Sequence, residues 1–213
     1  MKNYFIVWGC IIKIAFDIET TGINPYMCEI ITAYFVNLET GETYDFNSQV
    51  LNWSEEAEEI HGISKQEMHK FDEKAYAWEK LLDWLPKKFE AVIYANPQTE
   101  LGYLHFDVAA LKMGIMDHLG INHECKLPCK ITSYSIHTLA KQCAQLNLFR
   151  PIRDTNTNRQ QFSQEKVYAA LFNKGYDAHN AKADVHAMLQ IYQELNKLLE
   201  NKNISKRDQL SLL

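Results

Sequence analysis

Ile11-Ile12-Lys13-Ile14-Ala15-Phe16-Asp17-Ile18-Glu19-Thr20-Thr21-Gly22 is a β-branched run that closes on two acids and a turn. Residues 11–18 have the composition of a buried strand. Strand side chains alternate, so Asp17 and Glu19 share one face while Phe16 and Ile18 take the other. Two adjacent carboxylates repel and raise each other's pKa unless a cation lies between them. An acidic pair at the end of a central strand is therefore a candidate divalent-metal site. Taken alone, the pair also reads as a hydrated strand end facing solvent.

Outward from this strand, residues 20–25 are turn chemistry, Thr-Thr-Gly-Ile-Asn-Pro. Two strands follow, at residues 29–37 and 43–50, joined at Glu39-Thr40-Gly41 into an antiparallel three-stranded opening. Helical signals then take over. Ser54 before Glu55 and Glu56 reads as a capped start, and residues 72–85 as an amphipathic helix ended by Pro86. A short apolar strand is expected at 91–95, a helix at 106–119 ended by Gly120, and a strand at 130–134. Further helices are expected at 136–146 and 163–173. The last helix carries Ala181, Val185, Met188, Leu189, Tyr192, Leu195 and Leu199 at the spacing of one buried face. Hairpin strands followed by alternating strands and helices predict an α/β fold: a mixed five-stranded sheet with helices on both faces. Residues 147–161 are polar and carry Arg150, Arg153 and Arg159, either a solvated connection or a basic flap near a substrate strand.

With 213 residues, 46% hydrophobic and 23% charged, the chain suits one soluble globular domain with a sizeable core. Its formal charge of −5 argues against a protein that coats nucleic acid through a broad basic surface. It leaves open an enzyme that grips one strand end and draws its positive charge from bound metal. Cys10, Cys28, Cys125, Cys129 and Cys143 are odd in number and scattered, as reduced thiols of a cytosolic protein would be. His123, Cys125 and Cys129 are the alternative, three ligands toward a zinc site that lacks a fourth. The apolar residues 4–12 are too short to span a membrane and show no convincing cleavage site, so no membrane contact and a cytoplasmic location are expected.

Two further acidic clusters follow. Asp107 lies in His105-Phe106-Asp107-Val108-Ala109-Ala110-Leu111, where Val108, Leu111 and Ile115 mark a buried helix and place Asp107 at its inner mouth. An acid favoured by the helix macrodipole is the plainer reading. The third cluster is Asp177-Ala178-His179-Asn180-Ala181-Lys182-Ala183-Asp184. On a regular helix, residues five apart point about 140° away from each other. His179 and Asp184 can serve one site only if His179 lies on the approach and Asp184 on the helix, with Asn180 as the cap; otherwise His179 is a surface histidine at a helix start.

In type, order and spacing these clusters resemble the DEDDh exonucleases, the group that includes the proofreading subunit of bacterial replicative polymerase. The matching residues are Asp17 and Glu19 in Phe-Asp-Ile-Glu-Thr-Thr-Gly, Asp107 after Phe106, and His179 with Asp184 as His-x4-Asp; the similarity spans about residues 13–199. The resemblance implies a ribonuclease H-like fold and two Mg²⁺ ions, with Mn²⁺ as a substitute, held by Asp17, Glu19, Asp107 and Asp184. It implies His179 as the base that activates water. Thr20, Thr21, His61 and Phe106 would contact the terminal nucleotide, His61 within Ile60-His61-Gly62-Ile63-Ser64. The expected activity is 3′-to-5′ release of nucleoside monophosphates from single-stranded DNA. The alternatives are an exoribonuclease or oligoribonuclease, a catalytically dead module that binds strand ends or the clamp, and a hydrolase of free nucleotides. One departure concerns an Asn that family members often carry before the second motif. Here Asn96 or Tyr103 stands near its place, with an apparent insertion up to His105. Residues 1–200 are expected to form the exonuclease domain and 201–213 a polar tail. Its Gln209-Leu210-Ser211-Leu212-Leu213 resembles a sliding-clamp-binding peptide, with Gln209, Leu210, Leu212 and Leu213 as contacts, or forms a frayed helix end.

Overall fold

The computed structural model describes residues 11–95, 105–122 and 127–210, with the backbone alone for 203–210. The readings placed on the apolar start before residue 11, on Asn96 and Tyr103, and on His123 and Cys125 fall outside the described residues. So do those on the side chains of Gln209 and Leu210 and on Leu212 and Leu213.

The opening run forms β1 (Ile12–Thr20), which pairs antiparallel with β2 (Ile30–Asn37); β2 in turn pairs antiparallel with β3 (Thr43–Asn47). Three helices follow: α1 (Glu55–His61), α2 (Lys65–Met68) and α3 (Lys74–Trp84). Then come β4 (Lys88–Ile93), α4 (Phe106–Leu119), β5 (Lys130–Ser135) and α5 (Ile136–Gln145). The chain closes with α6 (Gln164–Phe172) and α7 (Ala181–Leu210). β4 lies parallel to β1 and β5 parallel to β4, so the sheet order is β3-β2-β1-β4-β5. This is the mixed five-stranded sheet expected from the pattern of hairpin and alternating elements.

Alternation along β1 builds two cores. Ile14, Phe16 and Ile18 pack with Phe89, Ala91 and Ile93 of β4 beneath Trp78 and Leu81 of α3 and Leu111 and Ile115 of α4. On the opposite face, Ala15 and Val92 pack with Leu139 and Cys143 of α5, Val167 of α6, and Val185, Met188, Ile191 and Leu195 of α7. Helices therefore cover both faces, and β1 is clamped between them.

Local chemistry explains where the elements stop. Ser54 accepts the Ala57 N–H, and Gly62 takes the left-handed conformation (φ 71°) that ends α1. α2 was not anticipated; a reciprocal capping box between Ser64 and Glu67 creates it. β3 ends at Asn47, short of residue 50, because Ser48 and Gln49 turn aside to pair with Asp72. Gly120 closes α4 at the expected position, also left-handed. α7 continues through Leu210, well past Leu199, the last residue of its expected apolar face. Among the described residues no helix is long and apolar enough to cross a membrane.

Gly114 of α4 faces Trp78 of α3 so closely that a Cβ there would overlap the indole Cη2 and Cζ2. Gly114→Ala is expected to destabilise the fold by about 1–3 kcal/mol through overpacking, outweighing the gain in helix propensity. A urea-unfolding midpoint equal to or above the parent's would contradict this.

Candidate active site

The β1–β4 ladder runs from Ile12 opposite Phe89 to Ala15 opposite Val92. β1 continues for five more residues, held on its other side by β2, with Asp17 opposite Tyr34 and Glu19 opposite Thr32. The sheet is built outward in opposite directions from β1, so a crevice opens at the carboxyl ends of β1 and β4, where α/β folds bind ligands. Asp17 and Glu19 lie in it. The first turn of α4 brings Asp107, and the first turn of α7 brings Asp184.

Carboxylate oxygens of Asp17, Glu19 and Asp184 all lie within 4.8 Å of one another. Asp107 stands outside that trio, but its charge reaches both Asp17 and Glu19. Burial, then the neighbouring acids, holds Asp17 well above the usual carboxylate range. The same causes push Glu19 to about 7, and burial alone takes Asp107 to about 7. Asp184 is also raised by burial, an effect opposed by hydrogen bonds from Tyr176 and from the N–H groups of Asn180 and His179. Among the described residues, none of the four acids has a salt-bridge partner. Like charges gathered without ion-pair partners fit a site for divalent metal, whose charge would let all of them ionise.

His179 has φ 65°, a left-handed conformation in which histidine is enriched among non-glycine residues. It therefore stands off the axis of α7, and the 140° problem disappears. Asn180 starts the helix: its Oδ1 accepts the Ala183 N–H at 3.1 Å. His179 lines a cavity of about 610 Å³ together with Asp17, Glu19 and Asp184.

A second cavity, about 460 Å³, lies on the other side of Glu19 and is lined by Thr20, Gly22, Ile23, Ile60, His61, Phe106 and Asp107 among others. Glu19 belongs to both. His61 Nδ1 accepts the Ile63 N–H at 3.0 Å, which leaves its proton on Nε2, a buried donor with no partner. Thr20 donates to the Gly22 carbonyl at 2.8 Å while lining this cavity. Thr21 faces elsewhere: its hydroxyl accepts the Glu29 N–H at 3.0 Å, and its own N–H donates to the Glu29 carbonyl. That residue holds the turn onto β2.

The larger cavity contains residues that the motifs did not flag: Tyr94, His137, Lys141, Gln160, Phe162 and Gln164. His137 and Lys141 are one turn apart on α5, so helical spacing put them together, but nothing pointed that face at the acids. Tyr94 donates to the Phe162 carbonyl at 2.8 Å, which ties the end of residues 147–163 over β4. That segment is a folded turn. Asp154 accepts the N–H groups of Asn156 and Thr157, and Arg153 pairs with Gln160. Its end walls the cavity with Gln160 and Phe162, while Arg150, Arg153 and Arg159 are not among the cavity's lining residues.

The exonuclease family model RNase_T matches residues 14–192, most of the chain. The chain belongs to this exonuclease family. It is thus a nuclease, and the resemblance to the DEDDh exonucleases is borne out. No curated protein matches it. Solved structures do. The zinc-bound E. coli exonuclease I–ssDNA complex is 18% identical, with 95% of this chain and 43% of that chain covered and a TM-score of 0.68. E. coli exonuclease I with a dA16 oligonucleotide is 16% identical, covering 90% of this chain and 43% of that one, with a TM-score of 0.70. Exonuclease I of Methylocaldum szegediense is 18% identical over 84% of this chain and 38% of that one, with a TM-score of 0.65. The shared feature is the ribonuclease H-like fold; this chain spans less than half the length of these exonucleases.

The raised carboxyl pKa values give a pH prediction. In the unfolded chain these groups ionise near about 4, so between about 4 and 7 the metal-free fold binds more protons than the unfolded chain. The stability tied to those protons is complete below about 4 and gone once pH passes the folded values near 7. Melting in EDTA should therefore fall from pH 5 to pH 8, and added Mn²⁺ should restore more at pH 8 than at pH 5. Thermal scans that show the same Mn²⁺ gain at both pH values would contradict the reading.

Proposed function

We propose that the chain is a 3′-to-5′ exonuclease that releases nucleoside monophosphates from the 3′ end of single-stranded DNA, using two divalent ions, Mg²⁺ or Mn²⁺. The observation that carries this is the convergence of four carboxylates from three separate elements on one crevice, none of them in a salt bridge among the described residues, beside a histidine set off its helix. Asp17, Glu19, Asp107 and Asp184 would hold the ions. When bound, divalent ions supply an activated water and charge compensation for the departing 3′ oxygen.

The chain's own groups have the remaining tasks. His179, reaching the cavity from outside α7, takes the proton of the attacking water. The smaller cavity seats the terminal nucleotide, with Phe106 offering a ring face to the base and His61 Nε2–H offering a donor. Because Glu19 borders both cavities, a nucleotide seated there leaves its phosphodiester beside the acids. Similarity in fold to exonuclease I solved with ssDNA supports DNA as the strand. A net charge of −5 is compatible with this, since bound cations supply the local positive charge.

The test uses 3′- and 5′-labelled DNA and RNA, single- and double-stranded, with Mg²⁺, Mn²⁺ or EDTA. Single-stranded DNA should shorten from its 3′ end and only with metal. Asp17→Ala and Asp184→Ala should abolish cleavage, and His179→Ala should slow it at least about a hundredfold. Persistent digestion by folded Asp17→Ala would sink the mechanism, and preferential digestion of RNA would reassign the substrate.

A further inference from the structure

Asp184 is held by side chains that no motif includes. Tyr176 Oη lies 2.6 Å from Asp184 Oδ1. Gln164 Nε2, at the first residue of α6, lies 2.7 Å from the Asp184 main-chain carbonyl, 3.0 Å from Tyr176 Oη and 3.2 Å from Asp184 Oδ1. The other carboxylate oxygen, Oδ2, accepts the Asn180 N–H at 3.1 Å.

The direction of every bond in this network is forced. A main-chain carbonyl can only accept, so the amide nitrogen of Gln164, and not its oxygen, must face Asp184. That nitrogen carries two hydrogens, one for the carbonyl and one shared between Tyr176 Oη and Asp184 Oδ1, so Tyr176 Oη accepts from it. The single tyrosine proton is then left for Asp184 Oδ1. The ring itself is pinned edge-on against Tyr168, with centroids 5.0 Å apart. Both oxygens of Asp184 are thus fixed from behind, one by Tyr176 and one by the backbone at the start of α7, in a site where Asp17 and Glu19 stand within 4.8 Å.

We propose that Gln164 and Tyr176 are positioning residues that orient the Asp184 carboxylate for metal and so set the affinity of the site for divalent ions. The inference rests on the metal-dependent reading above. Its physical basis is that groups hydrogen-bonded to a ligating side chain fix its rotamer in advance, and their loss typically weakens metal binding roughly 10–100-fold.

Mn²⁺ titrations by calorimetry on the parent, Tyr176→Phe, Gln164→Met and Gln164→Glu test this without any nuclease assay. Tyr176→Phe keeps the ring against Tyr168 and removes only the hydroxyl, so melting should change little while Mn²⁺ affinity drops about tenfold or more. Gln164→Met should behave similarly. Gln164→Glu should be at least as weak, because a carboxylate there repels Asp184 and claims the tyrosine proton. Mn²⁺ affinity in folded Tyr176→Phe and Gln164→Met equal to the parent's would overturn the inference and leave the metal site standing. Loss confined to variants whose circular dichroism has collapsed would overturn it too. A parent protein that binds no Mn²⁺ would instead remove the metal-dependent reading, and this inference with it.

Discussion

Carboxylates brought within a few ångströms of one another repel, and the repulsion grows as water is excluded. Asp17, Glu19 and Asp184 are nevertheless held within 4.8 Å, with Asp107 near enough to raise two of them. Something must hold them there. β1 does so because it is fixed from both faces: Ile14, Phe16 and Ile18 sink into one core, and Ala15 into the other. The strand carrying the acids is paired by β2 throughout their length, while the early end of the β4 ladder leaves their other edge open. Rigidity on one side and a gap on the other are what the site requires.

The same logic extends to the elements that deliver Asp107 and Asp184. α4 is locked into the first core by Leu111 and Ile115 and pressed against α3 where Gly114 meets Trp78. α7 is locked into the second by Val185, Met188 and Ile191, so its first turn has little freedom. His179 escapes that helix by adopting a left-handed backbone, a conformation that costs on the order of 1–3 kcal/mol for a residue other than glycine. Strain of this kind is carried where the surrounding packing enforces it, and here it turns an imidazole toward the acids.

Much of this was legible beforehand, for identifiable reasons. Residues 106–119 carried both a buried apolar stripe and a terminal Gly120, and the helix has those bounds. β1 and β2 were marked by runs of β-branched and aromatic residues, and their limits shifted by only one or two positions. α2 shows no period in the sequence because one turn is too short for one; the Ser64–Glu67 capping box and the burial of Met68 hold it. β3 is shorter than its sequence pattern because the apolar residue at 50 continues the pattern while the backbone has already left to meet Asp72.

For the site, sequence by itself determined the types of chemistry and their order: Asp17 with Glu19, then Asp107, then His179 with Asp184. A period-two strand must place the first pair on one face whatever the fold. Tertiary structure decided what surrounds them. That Thr21 holds a turn while Thr20 borders a cavity depends on where Glu29 lies. That Gln164 and Tyr176 close on Asp184 depends on α6 docking against α7, since 20 and 8 residues of chain separate them from it. Local periodicity acts over a few residues and can be read from order alone. Proximity between segments is set by burial of whole faces, which the chain reveals only once it is packed.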